Sequence, residues 1–310
     1  MTNTQLSRRS FLAGGALLGG ALAASGLTAC AGQETKSEGG QQPNGAWDYE
    51  VDIAVLGGGL GGILTAYAAV EEGAKVLVVE SGSELGGTCL ISGGNLHVSA
   101  LGGATADTTV EELSAMAPSI DKAFVPKMIK KWNAFREWIF DQGAPNITTI
   151  YDVMISIGSS YAKRKEFFDY FKEEIEGSGS SILLNTRAIQ LCTDEGGAVC
   201  GAIAVDAEGT AVRIRANSVI LATGGFSAND EMRGRYFGFY GDNIVGRVVP
   251  FNQGDGHRMA IELGAQLTKG MGQFYGHLVP YPSVIPQNAE DYAAASKDDL
   301  NTALGTIQLI

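Results

Sequence analysis

Three glycines and one acid, set within thirty residues, carry the clearest chemistry in this 310-residue sequence. Gly57, Gly59 and Gly62 satisfy G-x-G-x-x-G inside the run Gly57-Gly58-Gly59-Leu60-Gly61-Gly62, and Glu80 follows 18 residues after Gly62. Each position has a mechanical task. Gly57 permits a tight turn, Gly59 lets a pyrophosphate lie against the backbone, and Gly62 lets a helix pack closely on a strand. Glu80 stands where a carboxylate accepts hydrogen bonds from ribose hydroxyls. The pattern predicts a dinucleotide site. A glycine-rich turn that binds nothing is the competing reading of the glycines taken alone.

Those residues work only if a strand delivers them and a helix meets the phosphates. Val51-Asp52-Ile53-Ala54-Val55-Leu56 is an apolar run of the kind found in buried parallel strands. Ile63 to Glu72 reads as a helix, with Ile63, Leu64, Tyr67 and Val70 available for a buried face and Gly73 as its C-terminal stop. Lys75 to Val79 is a second strand, closed by Glu80. Strand, glycines, helix, strand and terminal acid form a Rossmann-type βαβ unit. Its helix N-terminus offers free N–H groups and a positive dipole to phosphate. The expected fold class is α/β.

The βαβ unit does not choose between dinucleotides, but the segments after it do. Ser83-Glu84-Leu85-Gly86-Gly87-Thr88-Cys89-Leu90-Ile91-Ser92-Gly93-Gly94-Asn95 follows the acid. Ile182 to Ile214 holds short alternating runs broken at Gly196-Gly197 and Glu208-Gly209, a β-meander pattern. Val219-Ile220-Leu221-Ala222-Thr223-Gly224-Gly225-Phe226 and Gly254-Asp255-Gly256 come later. In this order the motifs resemble the flavoprotein superfamily of fumarate reductases, urocanate reductases and 3-ketosteroid Δ1-dehydrogenases, over about residues 50–280. The resemblance implies a Rossmann-like FAD-binding domain with an inserted β-meander and helices, and FAD as cofactor. It implies cofactor contacts at Gly57, Gly59, Leu60, Gly61, Gly62, Glu80, Ser81, Gly87, Thr88, Ser92, Gly93, Gly94, Ala188, Thr223, Gly224, Gly225 and Asp255. No histidine precedes Ser92-Gly93-Gly94, where covalently flavinylated relatives carry one, so FAD is expected to be non-covalent.

The same resemblance implies hydride transfer between flavin and an activated C–C bond of a small unsaturated acid, as in fumarate reductases. The five residues between Gly86-Gly87 and Gly93-Gly94 instead match the spacing of ketosteroid-dehydrogenase-like members. Ketosteroid Δ1-oxidation, or a non-catalytic flavin-binding lipoprotein, are therefore the alternatives. Met271 to Leu278 is similar to the family segment Met-x-x-x-Gln-x-His-Pro, which puts His277 on a substrate-binding histidine and Tyr275 beside it. His97 and His257 read as structural. The family's capping domain and C-terminal flavin-binding segment do not follow within the sequence, so a truncated chain is expected and the proton donor is not among its residues. The expected divisions are a signal at 1–30, a linker at 31–46, an FAD-binding domain at 47–275 and the start of an incomplete capping domain at 276–310.

Composition narrows the partners. The chain is 45% hydrophobic with a net charge of −12, which argues against nucleic-acid binding through a general electrostatic patch. Cys30, Cys89, Cys192 and Cys200 form no CxxC pair and no CxxCH haem attachment site. A membrane or haem partner is the expected electron source, and no metal site is expected. At the N-terminus, Ser7-Arg8-Arg9-Ser10-Phe11-Leu12 precedes a Gly/Ala/Leu-rich stretch, resembling a twin-arginine export signal. It ends in Leu27-Thr28-Ala29-Cys30, which resembles a lipobox with Cys30 as the lipidated residue. The expected location is outside the cytoplasm, at the outer face of the membrane on a lipid anchor. A retained membrane-spanning helix is the competing reading, since the stretch just reaches spanning length. Cys192 and Cys200 could pair across a hairpin after export, or sit as buried apolar thiols.

Overall fold

The computed structural model describes residues 45–97, 115, 123–151, 154–244, 248–268 and 271–272. Arg8-Arg9, Cys30, Tyr275 and His277 lie outside the described residues, as does the 276–310 segment.

The apolar run at Val51 forms strand β1 (Tyr49–Leu56), whose last three residues are fully buried. Only Gly57, Gly58 and Gly59 separate it from helix α1 (Leu60–Glu71). The helix thus starts three residues earlier than expected, because Gly61 and Gly62 form its first turn instead of a loop before it. Ile63, Leu64 and Tyr67 are buried as anticipated, with Val70 only partly so. The chain turns at Gly73 (φ +83°) into β2 (Val76–Val79), four buried residues beside β1.

A six-stranded sheet grows around this unit in the order β6-β2-β1-β9-β8-β7. Strand β6 is Ser181–Leu183, β7 Arg187–Thr193, β8 Val199–Val205 and β9 Ala211–Leu221. The strands β6, β2, β1 and β9 run parallel, and β7, β8 and β9 form the antiparallel meander. Both meander turns are closed by an aspartate. Asp194 Oδ1 accepts the Gly196 and Ala198 N–H groups, and Asp206 Oδ1 accepts those of Glu208 and Thr210. Such side-chain bonds are the reason Asp initiates turns. The later half of β9 leaves the meander and pairs with β1 as far as Leu56↔Leu221, so the Thr223-Gly224 turn emerges beside Gly57.

Among the described residues, two helices and a small sheet occupy the interval between the glycine-rich segments and the meander. They are α2 (Val125–Asp141), a three-stranded sheet in the order β3-β5-β4, and α3 (Tyr161–Gly177). Here β3 is Asn95–His97, β4 Thr148–Tyr151 and β5 Met154–Ser156. Helix α3 begins at Ser160, whose hydroxyl caps the Lys163 N–H. Its Phe167, Phe168 and Phe171 are fully buried with α1 and one face of the large sheet, and Phe171 meets Tyr67 edge-on at 4.9 Å. The other face buries Ala188, Leu191, Ala202, Ala204 and Ile214 with Met259 of a later helix. Two more helices, α4 (Asp230–Phe237) and α5 (Asp255–Glu262), follow β9.

Cys89, Cys192 and Cys200 are free thiols, and burial pushes the Cys192 thiol up to about 11. Of the two alternatives for Cys192 and Cys200, the structure takes the unpaired one. Among the described residues no helix is long and apolar enough to cross a membrane, and no group of His, Cys, Asp or Glu could hold a metal ion.

Candidate cofactor cleft

The carboxyl ends of β1, β2 and β9 open onto a cleft of about 480 Å³. Ligands in open α/β sheets bind at this edge, where loops diverge and helix N-termini converge. One wall is the glycine loop and first turn of α1. Gly57 has φ +110°, and a Cβ there would stand 2.3 Å from the Ala222 carbonyl oxygen. A Cβ on Gly62 would stand 1.9 Å from the Gly57 carbonyl oxygen. These two glycines are demanded by the protein's own packing. Gly59 and Gly61 differ, since a side chain added at either would meet no atom within 4 Å. Packing gives no reason for glycine there, whereas a ligand lying against the backbone does. Gly59 is also the N-cap of α1 and supplies no side-chain cap, leaving first-turn N–H groups to an anion.

Glu80 closes the end of β2. It is 8% exposed, with Oε2 accepting the Gly58 N–H and Oε1 the Gly82 N–H, each at 2.6 Å. Burial pushes its carboxyl up, and the backbone bonds from Gly82, Gly58 and Ser81 pull against that rise. Each carboxylate oxygen has a second lone pair, so the acid can bind the loop and still accept a ribose hydroxyl. It thereby joins the glycine loop to the second strand and faces the cleft at once.

The meander and α5 supply the far wall through Ala188 and Asp255. Asp255 is 5% exposed and grips two cations. Arg187 donates to both of its oxygens at 2.7 Å, and Arg258 donates to Oδ1 at 2.5 Å. Burial alone would raise this carboxyl, but the Arg187 and Arg258 guanidiniums together outweigh it and hold it low. The resulting bridge ties the start of β7 to the first turn of α5. Thr223 works similarly, its hydroxyl accepting the Gly256 N–H at 3.1 Å.

Of the sequence-predicted contacts, Gly57, Gly59, Leu60, Gly61, Glu80, Ser81, Gly87, Thr88, Ala188, Thr223, Gly224 and Asp255 line the cleft together. Gly62, Ser92, Gly93, Gly94 and Gly225 do not. Gly62 lies between helix and strand. Gly94 (φ +72°) packs on Gly158, where a Cβ would come 2.3 Å from the carbonyl oxygen, and the Ser92 hydroxyl braces the same turn by accepting the Gly94 N–H. The second glycine pair thus shapes the loop from behind. Arg164, 1% exposed, fastens that loop to α3 by donating to the Leu90 and Gly158 carbonyls. Sequence reasoning missed Gly86, Cys89, Val249, Phe251 and Asn252 in the lining. Gly86 was legible as part of its motif. Phe251 and Asn252 stand in no motif, and only the fold brings them to the cleft.

The donor set fits a dinucleotide: bare backbone for phosphates, an acid at ribose distance in the chain, and an open helix N-terminus. Bound FAD would supply a ring able to carry a hydride. The family model "FAD dependent oxidoreductase" matches residues 52–225. A urocanate reductase of Eggerthella lenta is 27% identical, over 86% of this chain and 46% of the relative. A vinyl phenol reductase of Lactiplantibacillus plantarum is 25% identical, over 75% of this chain and 50% of that one. The open conformation of a flavocytochrome c3 fumarate reductase superposes with a TM-score of 0.61 at 23% identity, covering 72% of this chain and 42% of that chain. The chain therefore spans about half the length of the curated relatives it matches.

Proposed function

The chain belongs to the FAD dependent oxidoreductase family, and from that membership we propose that it is the FAD-holding part of an exported reductase acting on an activated carbon–carbon double bond. FAD is the family's cofactor. The observation that carries the reading is the pair Gly59 and Gly61, which line the cleft and where a Cβ would meet open space and no protein atom within 4 Å. Two relatives are named as reductases of unsaturated compounds, urocanate and a vinyl phenol, and this supports reduction over ketosteroid oxidation. A small unsaturated acid is the proposed substrate class. His277 is its proposed carboxylate contact, with Tyr275 alongside. FAD is held without a covalent bond, since no histidine precedes Ser92-Gly93-Gly94.

No CxxCH haem site occurs in these 310 residues, and the proposed electron source is a haem or membrane carrier. A likeness to a flavocytochrome supports a haem or membrane partner. Arg8-Arg9 and Cys30 support export and a lipid anchor outside the cytoplasm. The test is anaerobic reoxidation of a reduced dye by the FAD-loaded chain, offered fumarate, urocanate, cinnamate-like acids and vinyl phenols. Because the proton donor is not among these residues, the same compounds are also titrated against the FAD-loaded chain and the visible flavin spectrum is followed: a saturable perturbation by at least one is expected, with His277→Ala raising Kd for acids more than for neutral vinyl phenols. An FAD-loaded chain whose spectrum responds to none of them would contradict the reading.

A further inference from the structure

The segment Val249–Asn252 belongs to no cofactor motif, yet it lies across the cleft from one end to the other. At one end, a Cβ on Gly82, two residues past the ribose acid Glu80, would come 3.4 Å from the Phe251 ring. At the other, a Cβ on Gly224 would come 3.5 Å from Asn252 Oδ1. Val249, Phe251 and Asn252 all line the cleft.

Two features of this segment lack an explanation within the protein. Phe251 is 46% exposed although it stands in a cleft wall. An aromatic ring left open beside a ribose-binding acid is a platform for a purine, because every base presents a π-face. Asn252 shows the second feature. Its Nδ2 donates to Ser227 Oγ at 2.9 Å, while Oδ1 is buried with no hydrogen-bond partner among the described residues. Buried polar atoms are almost always satisfied, and one left alone in a ligand cleft points to a donor on the ligand.

We propose that Val249–Asn252 is an outer clamp for FAD, in which Phe251 stacks on the adenine and Asn252 Oδ1 accepts a hydrogen bond from a hydroxyl of the cofactor's sugar chain. The proposal rests on the FAD reading of the cleft. It makes the adenine half of the cofactor, and not only the phosphates, a source of affinity. It also assigns a binding role to two residues that the Rossmann pattern does not reach.

The test measures binding of FAD, ADP and FMN to the full chain by fluorescence and calorimetry. It uses wild type, Phe251→Ala, Phe251→Tyr, Asn252→Leu, Asn252→Asp and Ser227→Ala. Wild-type chain that binds no FAD would overturn the cofactor reading itself, before any variant is compared. Given wild-type binding, Phe251→Ala is expected to weaken FAD and ADP about tenfold and to leave FMN unchanged, with Phe251→Tyr restoring both. Asn252→Leu is expected to weaken FAD binding; it also gives up the Asn252–Ser227 hydrogen bond, so its FAD affinity is compared with that of Ser227→Ala, which loses the same bond and keeps Oδ1. Asn252→Asp keeps an acceptor and is expected to bind FAD better than Asn252→Leu does. Equal loss of FMN and FAD in Phe251→Ala, or Asn252→Asp binding FAD worse than Asn252→Leu, would overturn the clamp.

Discussion

At the scale of single residues, the glycines of the loop separate into two kinds that sequence alone does not distinguish. Gly62 answers to the Gly57 carbonyl and Gly59 answers to the cleft. Gly62→Ala should therefore cost stability, about 1–3 kcal/mol from overpacking, read as a lower denaturant midpoint without cofactor. Gly59→Ala should leave that midpoint in place, its φ of −70° being ordinary for alanine, and lose FAD affinity at least tenfold. Asp255 gives a pH signature. Its folded pKa lies below the ordinary 3.8, so its contribution to stability is present above that value and disappears as pH falls through the folded pKa. The stability gap between wild type and Asp255→Asn, followed by chemical unfolding, should be constant near neutrality and close below about pH 3.8. Glu80 and the motif glycines were legible in the sequence because their types follow from geometry. Phe251 and Asn252 were not, because their meaning depends on a turn that places Phe251 beside Gly82, 169 positions earlier, and Asn252 beside Gly224, 28 positions earlier.

At the scale of elements, the βαβ unit and the meander were readable and the interval between them was not. Strands β1 and β2 announce themselves as apolar runs, and the meander by its breaks at Gly196-Gly197 and Glu208-Gly209. The helices α2 and α3 and the small sheet carry no motif; α3 and the end of the small sheet brace the flavin-type loop from behind, while α2 packs on α1 through Trp138, Tyr67 and Glu71. Arg164 is the clearest case, a buried cation whose hydrogen bonds end on the backbone of Leu90 and Gly158. Tyr161, at the start of α3, donates to Glu84 in the same loop, and burial with the neighbouring carboxylate pushes its phenol up. Arg164→Leu strands two buried carbonyls and should destabilise the chain by about 3 kcal/mol. It should weaken FAD binding as well, although Arg164 lies outside the cleft lining. Paired unfolding and FAD titrations of that variant check both effects.

At the scale of the whole molecule, the cleft sits where β1 and β9 carry their loops to the same sheet edge, and the proposed export signal is tested separately from it. If Arg8-Arg9 and Cys30 act as proposed, Arg8→Lys with Arg9→Lys should retain the protein inside the cell. Cys30→Ser should abolish labelling by fatty acid and release the exported chain from membranes. Cell fractionation and radiolabelled palmitate report the two outcomes separately. Both variants are expected to bind FAD as wild type does.

The most direct measurement is FAD binding by the 310-residue chain itself, followed by visible absorbance and by melting temperature. One FAD per chain is expected. At a hundredfold excess over Kd, stabilisation of about 2.7 kcal/mol is expected, and a tenfold weaker Gly59→Ala at the same FAD concentration should show about 1.4 kcal/mol. A folded, colourless chain whose melting temperature is indifferent to FAD would contradict the account.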